Sequence, residues 1–72
     1  MENRIIKSES EGQIIEITIG SMIDWLFNII EISISKEDFI NKCTMGLTDE
    51  TSELSLEDQD TLSEFFCINS QN

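Results

Sequence analysis

Residues 12–31, GQIIEITIGSMIDWLFNIIE, contain the change of periodicity that decides the fold. Up to Ile19, isoleucine alternates with polar residues, and this period of two with β-branched side chains predicts a strand. After Gly20 the alternation stops, and polar residues return only at every third or fourth position. That spacing predicts a helix from Met22 to about Glu31. A strand followed directly by a helix is typical of an α+β domain.

The segment before this stretch supplies a partner for the strand. RIIKSE, residues 4–9, is a second strand candidate, and Glu11-Gly12 can provide the positive φ that a tight turn needs. We therefore predict a β-hairpin over residues 4–19. IIEISI at residues 29–34 also alternates, so it is either the end of the helix or a third strand.

Serine followed three positions later by aspartate marks the start of each predicted helix, because this pairing resembles an N-terminal cap. The second pair opens a helix over residues 35–45 that Gly46 can end. The third pair opens a helix over about residues 56–67. We expect one small acidic domain, residues 1–72, in which the hairpin packs on two or three short helices. The three pairs are Ser21 with Asp24, Ser35 with Asp38, and Ser55 with Asp58.

The charge is strongly and unevenly negative. The chain has 15 acidic and 4 basic residues, a net charge of −11. Residues 1–42 carry eight acids and all four bases, and residues 43–72 carry seven acids and no base. This field argues against direct binding to nucleic acid or an anionic membrane and predicts a basic partner. The apolar stretch 14–34 includes three acids, too many for a membrane span, so we expect a cytosolic protein.

The sequence holds no catalytic motif and no zinc-binding motif, and loose binding of a divalent ion by the carboxylate cluster is the one metal site left open. It contains no His and no CxxC spacing, which leaves zinc unsupported. Aligned as an EF-hand loop from Asp49, the chain has Leu54 where Gly is needed and Asp60 where Glu is expected. No nucleophile has an evident base, so we predict no cofactor and no enzymatic activity. Cys43 and Cys67 are expected to be buried and reduced.

The acidic segment 49–64, DETSELSLEDQDTLSE, holds seven carboxylates in sixteen positions. Asp58 would favour the helix start, where free amides and the helix dipole attract a carboxylate. Glu57, Asp60 and Glu64 recur at helical spacing on one face. Simple solvation is one interpretation, but the segment holds no Lys or Arg, and like charges on one face cost stability. The predicted partner-binding surface comprises Asp49, Glu50, Glu53, Glu57, Asp58, Asp60 and Glu64.

The spacing of that face suggests mimicry of DNA. A helix rises ~1.5 Å per residue, so these carboxylates are ~4.5 to 6 Å apart, comparable to successive phosphates on a strand. In size, charge, absence of His and the acidic segment 49–64, the chain resembles the small acidic DNA-mimic inhibitors made by bacteriophages and mobile elements. The resemblance covers composition and includes no alignable motif.

The resemblance implies an inhibitor that blocks a host DNA-binding protein in the bacterial cytoplasm. The nucleoid protein HU is the first target, and a nuclease, a uracil-DNA glycosylase or a CRISPR effector are others. The hypothesis requires acids that point in one direction and are not neutralised by the four basic residues of the chain.

Two other functions remain open. An immunity- or antitoxin-like module would neutralise a basic toxin or nuclease through apolar anchors, Trp25 or Phe66, inside an acidic rim. An adaptor whose acids only solvate the surface would have no basic partner. The first predicted helix is apolar nearly all round, so either the other helices cover it or a second subunit does. In the second case Trp25, Phe27 and Ile29 form a homodimer interface.

Overall fold

A computed structural model describes residues 3–49 and 53–70 of the chain. A hairpin at the N-terminus is followed by helices, which confirms the predicted α+β fold. A single turn of 3-10 helix, Gly20–Met22, connects the two parts. The elements are β1 (Ile5–Ser10), β2 (Gln13–Thr18), α1 (Ile23–Ile32), α2 (Lys36–Leu47) and α3 (Leu56–Asn69).

The hairpin turn forms where the sequence predicts it. β1 and β2 are antiparallel with Ser10 opposite Gln13, which leaves Glu11 and Gly12 as a two-residue turn. Their φ angles are 52° and 79°, both positive, as the hairpin turns that match strand twist require. Glu11 carries a Cβ, so its left-handed backbone costs about 1–2 kcal/mol. Its N–H donates to Asp49 Oδ2 at 2.8 Å, which anchors the turn to the segment after α2.

The start of α1 differs from the prediction. Ser21 does not cap the helix, because its hydroxyl donates to the carbonyl oxygen of Thr18, the last residue of β2, at 2.8 Å. Met22 occupies the cap position and makes no side-chain hydrogen bond there. The serine therefore fixes the end of the hairpin, and the predicted pairing of Ser21 with Asp24 is wrong.

The end of α1 settles the alternative over residues 29–34. The helix continues to Ile32, and the described sheet has two strands, so a third strand there is wrong. Ile29 and Ile30 pack against the core on one side of the helix. In a strand the side chains of Ile29 and Ile30 would lie on opposite faces, and only one of them could contact the core.

Gly46 does not end α2. The helix runs through it to Leu47, and the Thr48 N–H closes the end on the Thr44 carbonyl oxygen at 2.9 Å. A Cβ at position 46 would lie only 2.5 Å from Cζ2 of Trp25. The glycine therefore lets α1 and α2 approach each other, and the prediction of a helix end at this residue is wrong.

The core lies between the hairpin and the three helices. Burial falls along the apolar face of β2: Ile19, just beyond the strand, is 0% exposed, Ile17 is half-buried, and Ile15 is 55% exposed. The helices thus cover one end of this face and leave the other end open. The buried apolar residues are Ile6, Ile19, Leu26, Phe39, Cys43, Leu54, Leu62 and Phe65.

The predicted dimer interface is largely part of the monomer core. Trp25 and Ile29 are half-buried and pack against the buried cluster, so the other helices cover them. Phe27 is 43% exposed, although its ring centroid lies 5.8 Å from that of Phe65. The three residues therefore do not form one exposed patch, and a homodimer through them stays a prediction.

The two cysteines have different environments. Both are free, as predicted, and Cys43 is buried, but Cys67 is exposed, so the prediction of a buried pair is wrong for Cys67. Burial raises the pKa of the Cys43 thiol to about 12. Since the thiolate is the reactive form, Cys43 is inert at neutral pH.

Candidate acidic binding surface

Asp58 joins the start of α3 to the hairpin. The predicted cap is present, with the Asp58 N–H donating to Ser55 Oγ at 3.1 Å. The Asp58 side chain turns inward: the residue is 6% exposed, and its Oδ2 accepts the Lys7 N–H at 3.0 Å. This carboxylate binds one outward N–H on the edge of β1. Its assignment to an exposed binding surface is therefore wrong.

The other predicted acids have different roles. Asp49 is half-buried and accepts the Glu11 N–H, so it holds the turn. Glu64 Oε1 lies 3.3 Å from Arg4 Nη1 in an exposed ion pair, and such pairs contribute about 0–1 kcal/mol. Glu50 lies outside the described residues. Within the described ranges, no ion pair involves the three exposed acids that remain, Glu53, Glu57 and Asp60.

Two acids of the hairpin lie beside those of α3. One shallow cleft between the hairpin and the start of α3 is lined by Glu16 and Glu57. A second is lined by Glu9 and Glu53, and Lys7 lines both. Glu9 and Glu16 are exposed. The acidic surface, as the term is used below, consists of Glu9, Glu16, Glu53, Glu57 and Asp60.

Sequence reasoning missed the hairpin half of this surface. Alternation along β1 places Lys7 and Glu9 on one face, and the hairpin register puts Glu16 opposite Lys7. The position of this face beside α3 depends on the bond between Asp58 and Lys7, residues 51 positions apart. No local pattern specifies that contact.

Lys7 offsets part of the charge of the acidic surface. Five carboxylates and one ammonium give the surface a net charge of −4 when all are ionised. The requirement for acids without a basic partner is met on α3 by Glu57 and Asp60 but not by Glu64. The helical row is therefore shorter than predicted, and the surface is wider because the hairpin contributes to it.

The chemistry of this arrangement is electrostatic. Carboxylates on a solvated surface can accept charge-assisted hydrogen bonds from Lys or Arg of a partner. Across residues 3–49 and 53–70, no group of three or more His, Cys, Asp or Glu side chains is arranged to hold a metal ion. None of the described helices combines the length and the apolar composition that crossing a bilayer requires.

Comparisons with protein-family models, with curated proteins and with solved structures find no match to this chain. What the protein does is therefore inferred from its own residues.

Proposed function

We propose that the protein is a DNA-mimic inhibitor that binds the basic DNA-binding surface of a bacterial protein and excludes DNA. An HU-like nucleoid protein in the cytoplasm of the host cell is the first target. The observation that carries the proposal is the acidic surface. Four of its exposed carboxylates, all but that of Asp60, line two clefts that share Lys7, and Asp60 lies about one turn along α3 from Glu57.

The proposed binding is driven by charge. A DNA-binding groove presents Lys and Arg that normally neutralise phosphates, and carboxylates at similar spacing can replace those phosphates. A net charge of −11 adds a long-range attraction that speeds encounter with a basic partner. For about four neutralised charges, we expect affinity to fall by at most about 10²-fold between about 50 and 200 mM salt.

Competition against labelled duplex DNA tests the proposal. Purified HU is saturated with the duplex, and displacement by the protein is followed by fluorescence anisotropy. A variant with three acids of the surface reversed should lose about tenfold or more in competition, since each unmatched charge costs binding energy. A control with three exposed acids of α1 and α2 reversed has the same net charge. The variants are E53K/E57K/D60K and the control D24K/E31K/E37K, each checked for folding by circular dichroism.

The outcomes separate local recognition from bulk charge. Equal losses in the two variants would show that only net charge matters. Competition by the first variant as strong as that of the unaltered protein would reject the acidic surface. If the unaltered protein did not displace the duplex at low salt, HU would be rejected as its target.

An exposed apolar residue favours the immunity-like module as a second candidate. Ile34 is 93% exposed and lines a shallow pocket with Ile30, Phe66 and Glu31, an apolar site with an acidic edge. Trp25 and Phe66, the anchors expected from the sequence, are both half-buried against the core. Under this hypothesis, I34A weakens binding to a basic nuclease more than E53K/E57K/D60K does, and salt has little effect.

A further inference from the structure

The outer edges of β1 and β2 differ in their backbone hydrogen bonds. The Ile19 N–H donates to the Arg4 carbonyl oxygen at 2.8 Å, so Arg4 and Ile19 direct their backbone groups toward each other. In an antiparallel pair the bonded residues alternate, so Lys7 on β1 directs its N–H away from β2. The bond from Lys7 N–H to Asp58 agrees with this alternation. On β2 the same alternation turns the N–H and C=O groups of Ile14 and Glu16 outward.

The outer edge of β2 is open. In the part of the chain that the structure describes, no hydrogen bond reaches the outward N–H or C=O of Ile14 or Glu16. Ile14 is 64% exposed and Ile15 is 55% exposed. Of the features that usually keep an edge strand from pairing, β2 contains no Pro and no bulge, and its one charged side chain is Glu16. This edge can therefore add another strand.

We propose that β2 pairs antiparallel with β2 of a second copy of the chain, which joins the two hairpins into a four-stranded sheet across a two-fold axis. Ile15 lies on the axis, opposite Ile15 of the second copy. Ile14 lies opposite Glu16 of the second copy, and each such pair exchanges both N–H to O=C bonds.

The side chains favour this register over a pairing centred on Glu16. It places the exposed end of the apolar face of β2, Ile15, against an identical isoleucine, so the core continues across the axis. A shift that centres the pairing on Glu16 would place two carboxylates directly opposite each other, which is destabilising. The sequence of β2 is thus complementary to itself in the first register.

The charge distribution favours a second copy over a basic partner at this edge. Glu16 is the one charged residue of β2, whereas the acidic surface holds four further acids. A basic strand would find little to pair with on β2. Two copies can approach here with less local repulsion than at α3. A six-residue strand edge buries less than the ~1,200 Å² of stable interfaces, so the dimer is weak.

Salt affects this dimer and the proposed inhibitor complex in opposite directions. Two chains of net charge −11 repel each other, and salt screens that repulsion over a length that falls from ~10 Å at 0.1 M to ~3 Å at 1 M. Dimerisation therefore strengthens with salt, whereas binding to a basic partner weakens. The failure of one proposal can be distinguished from the failure of the other.

Sedimentation equilibrium at about 0.05 and 0.5 M NaCl tests the dimer. We expect at least about fivefold tighter association at the higher salt. The variant I15K should be monomeric, because it places two ammonium groups opposite each other on the axis. The control I34K makes the same substitution at another exposed isoleucine and should dimerise at least as well as the unaltered protein. Reduced net charge alone would strengthen association in both variants.

Amide hydrogen exchange provides a second measurement. On dimerisation the Ile14 and Glu16 amides should exchange about tenfold more slowly or more, while the Lys7 amide, already bonded to Asp58, should be unchanged. A monomer at millimolar concentration in both salts would overturn the proposal. So would an I15K variant that dimerises normally, an I34K variant that does not, or a dimer in which the Ile14 and Glu16 amides are not slowed.

Discussion

Two helices of this protein begin with the same motif, and the motif has a different role in each. In α2 and α3 a serine hydroxyl accepts the N–H of the aspartate three residues later, at 3.1 Å in both. Asp38 remains local, since its Oδ2 accepts the Ile34 N–H at 3.0 Å and a hydrogen bond from Lys42 one turn away. Asp58 instead reaches a strand 51 residues away and is buried.

This difference shows that the residues that start a helix do not by themselves determine where the helix packs. The hydroxyl bond specifies where α2 and α3 begin, and it involves only residues within one turn of the helix start. The second function of the aspartate depends on what lies beside it. α3 is thereby fixed to the hairpin, and the acidic surface exists because of that contact.

Replacing Asp58 by Ala should have the largest effect. It removes a hydrogen bond from the Lys7 N–H to a carboxylate and takes that carboxylate from a helix start, a loss of about 2–4 kcal/mol in unfolding free energy. A domain of this size has roughly 4–10 kcal/mol in total. Urea unfolding followed by circular dichroism measures the loss. D38A removes the local bonds of the other capping aspartate, and equal losses would show that the contact with Lys7 contributes no more than those local bonds.

D58N should have an intermediate effect. The amide oxygen can still accept the Lys7 N–H, but a neutral acceptor bonds more weakly than a carboxylate, so we expect a loss of about 1–2 kcal/mol. The same urea titration measures it. A variant as unstable as D58A would mean that the charge of Asp58, and not its hydrogen bond, holds α3 in place.

The two capping serines should be nearly equivalent. S35A and S55A each remove one bond to a helix-start amide and should each cost about 1 kcal/mol. The comparison is made by urea unfolding of the two single variants and the double variant, whose losses should add because the sites are separate. A much larger loss for S55A would show that the serine, like Asp58, supports the tertiary contact.

The smallest effect is expected from the titration of Asp38. The hydrogen bond from Lys42, and then that from the Ile34 amide, hold the pKa of Asp38 below its ordinary value of 3.8. A lowered folded pKa stabilises the protein above the unfolded pKa, and the stabilisation is lost as pH falls through the folded value. Between about pH 5 and pH 3, D38N should therefore lose slightly less stability than the unaltered protein. If the urea midpoints of D38N and the unaltered protein fell by the same amount between the two pH values, the prediction would be contradicted.

Local features of the fold could be predicted from the sequence. Alternation and Glu11-Gly12 predict the hairpin, and two of the three Ser-x-x-Asp pairs begin helices, because these signals act within a few residues. Ser21 was misassigned because its hydroxyl has a competing acceptor in the preceding strand. Gly46 was misassigned because the reason for a glycine there is the indole ring of Trp25.

The candidate site was less predictable than the fold. Helical spacing correctly placed Glu57 and Asp60 on the solvent side of α3. It could not show that Asp58 turns inward or that Glu64 meets Arg4, since both contacts join distant parts of the chain. Glu9 and Glu16 were missed for the same reason. A surface made of two elements can be recognised only when their packing is known.

The contact between Trp25 and Gly46 provides an intrinsic optical reporter. The protein has one tryptophan and no tyrosine, so its emission excited near 295 nm comes from this indole alone. The ring lies between α1 and α2, against Gly46. A change in its spectrum on mixing with a partner would therefore show that binding alters the packing between the first two helices.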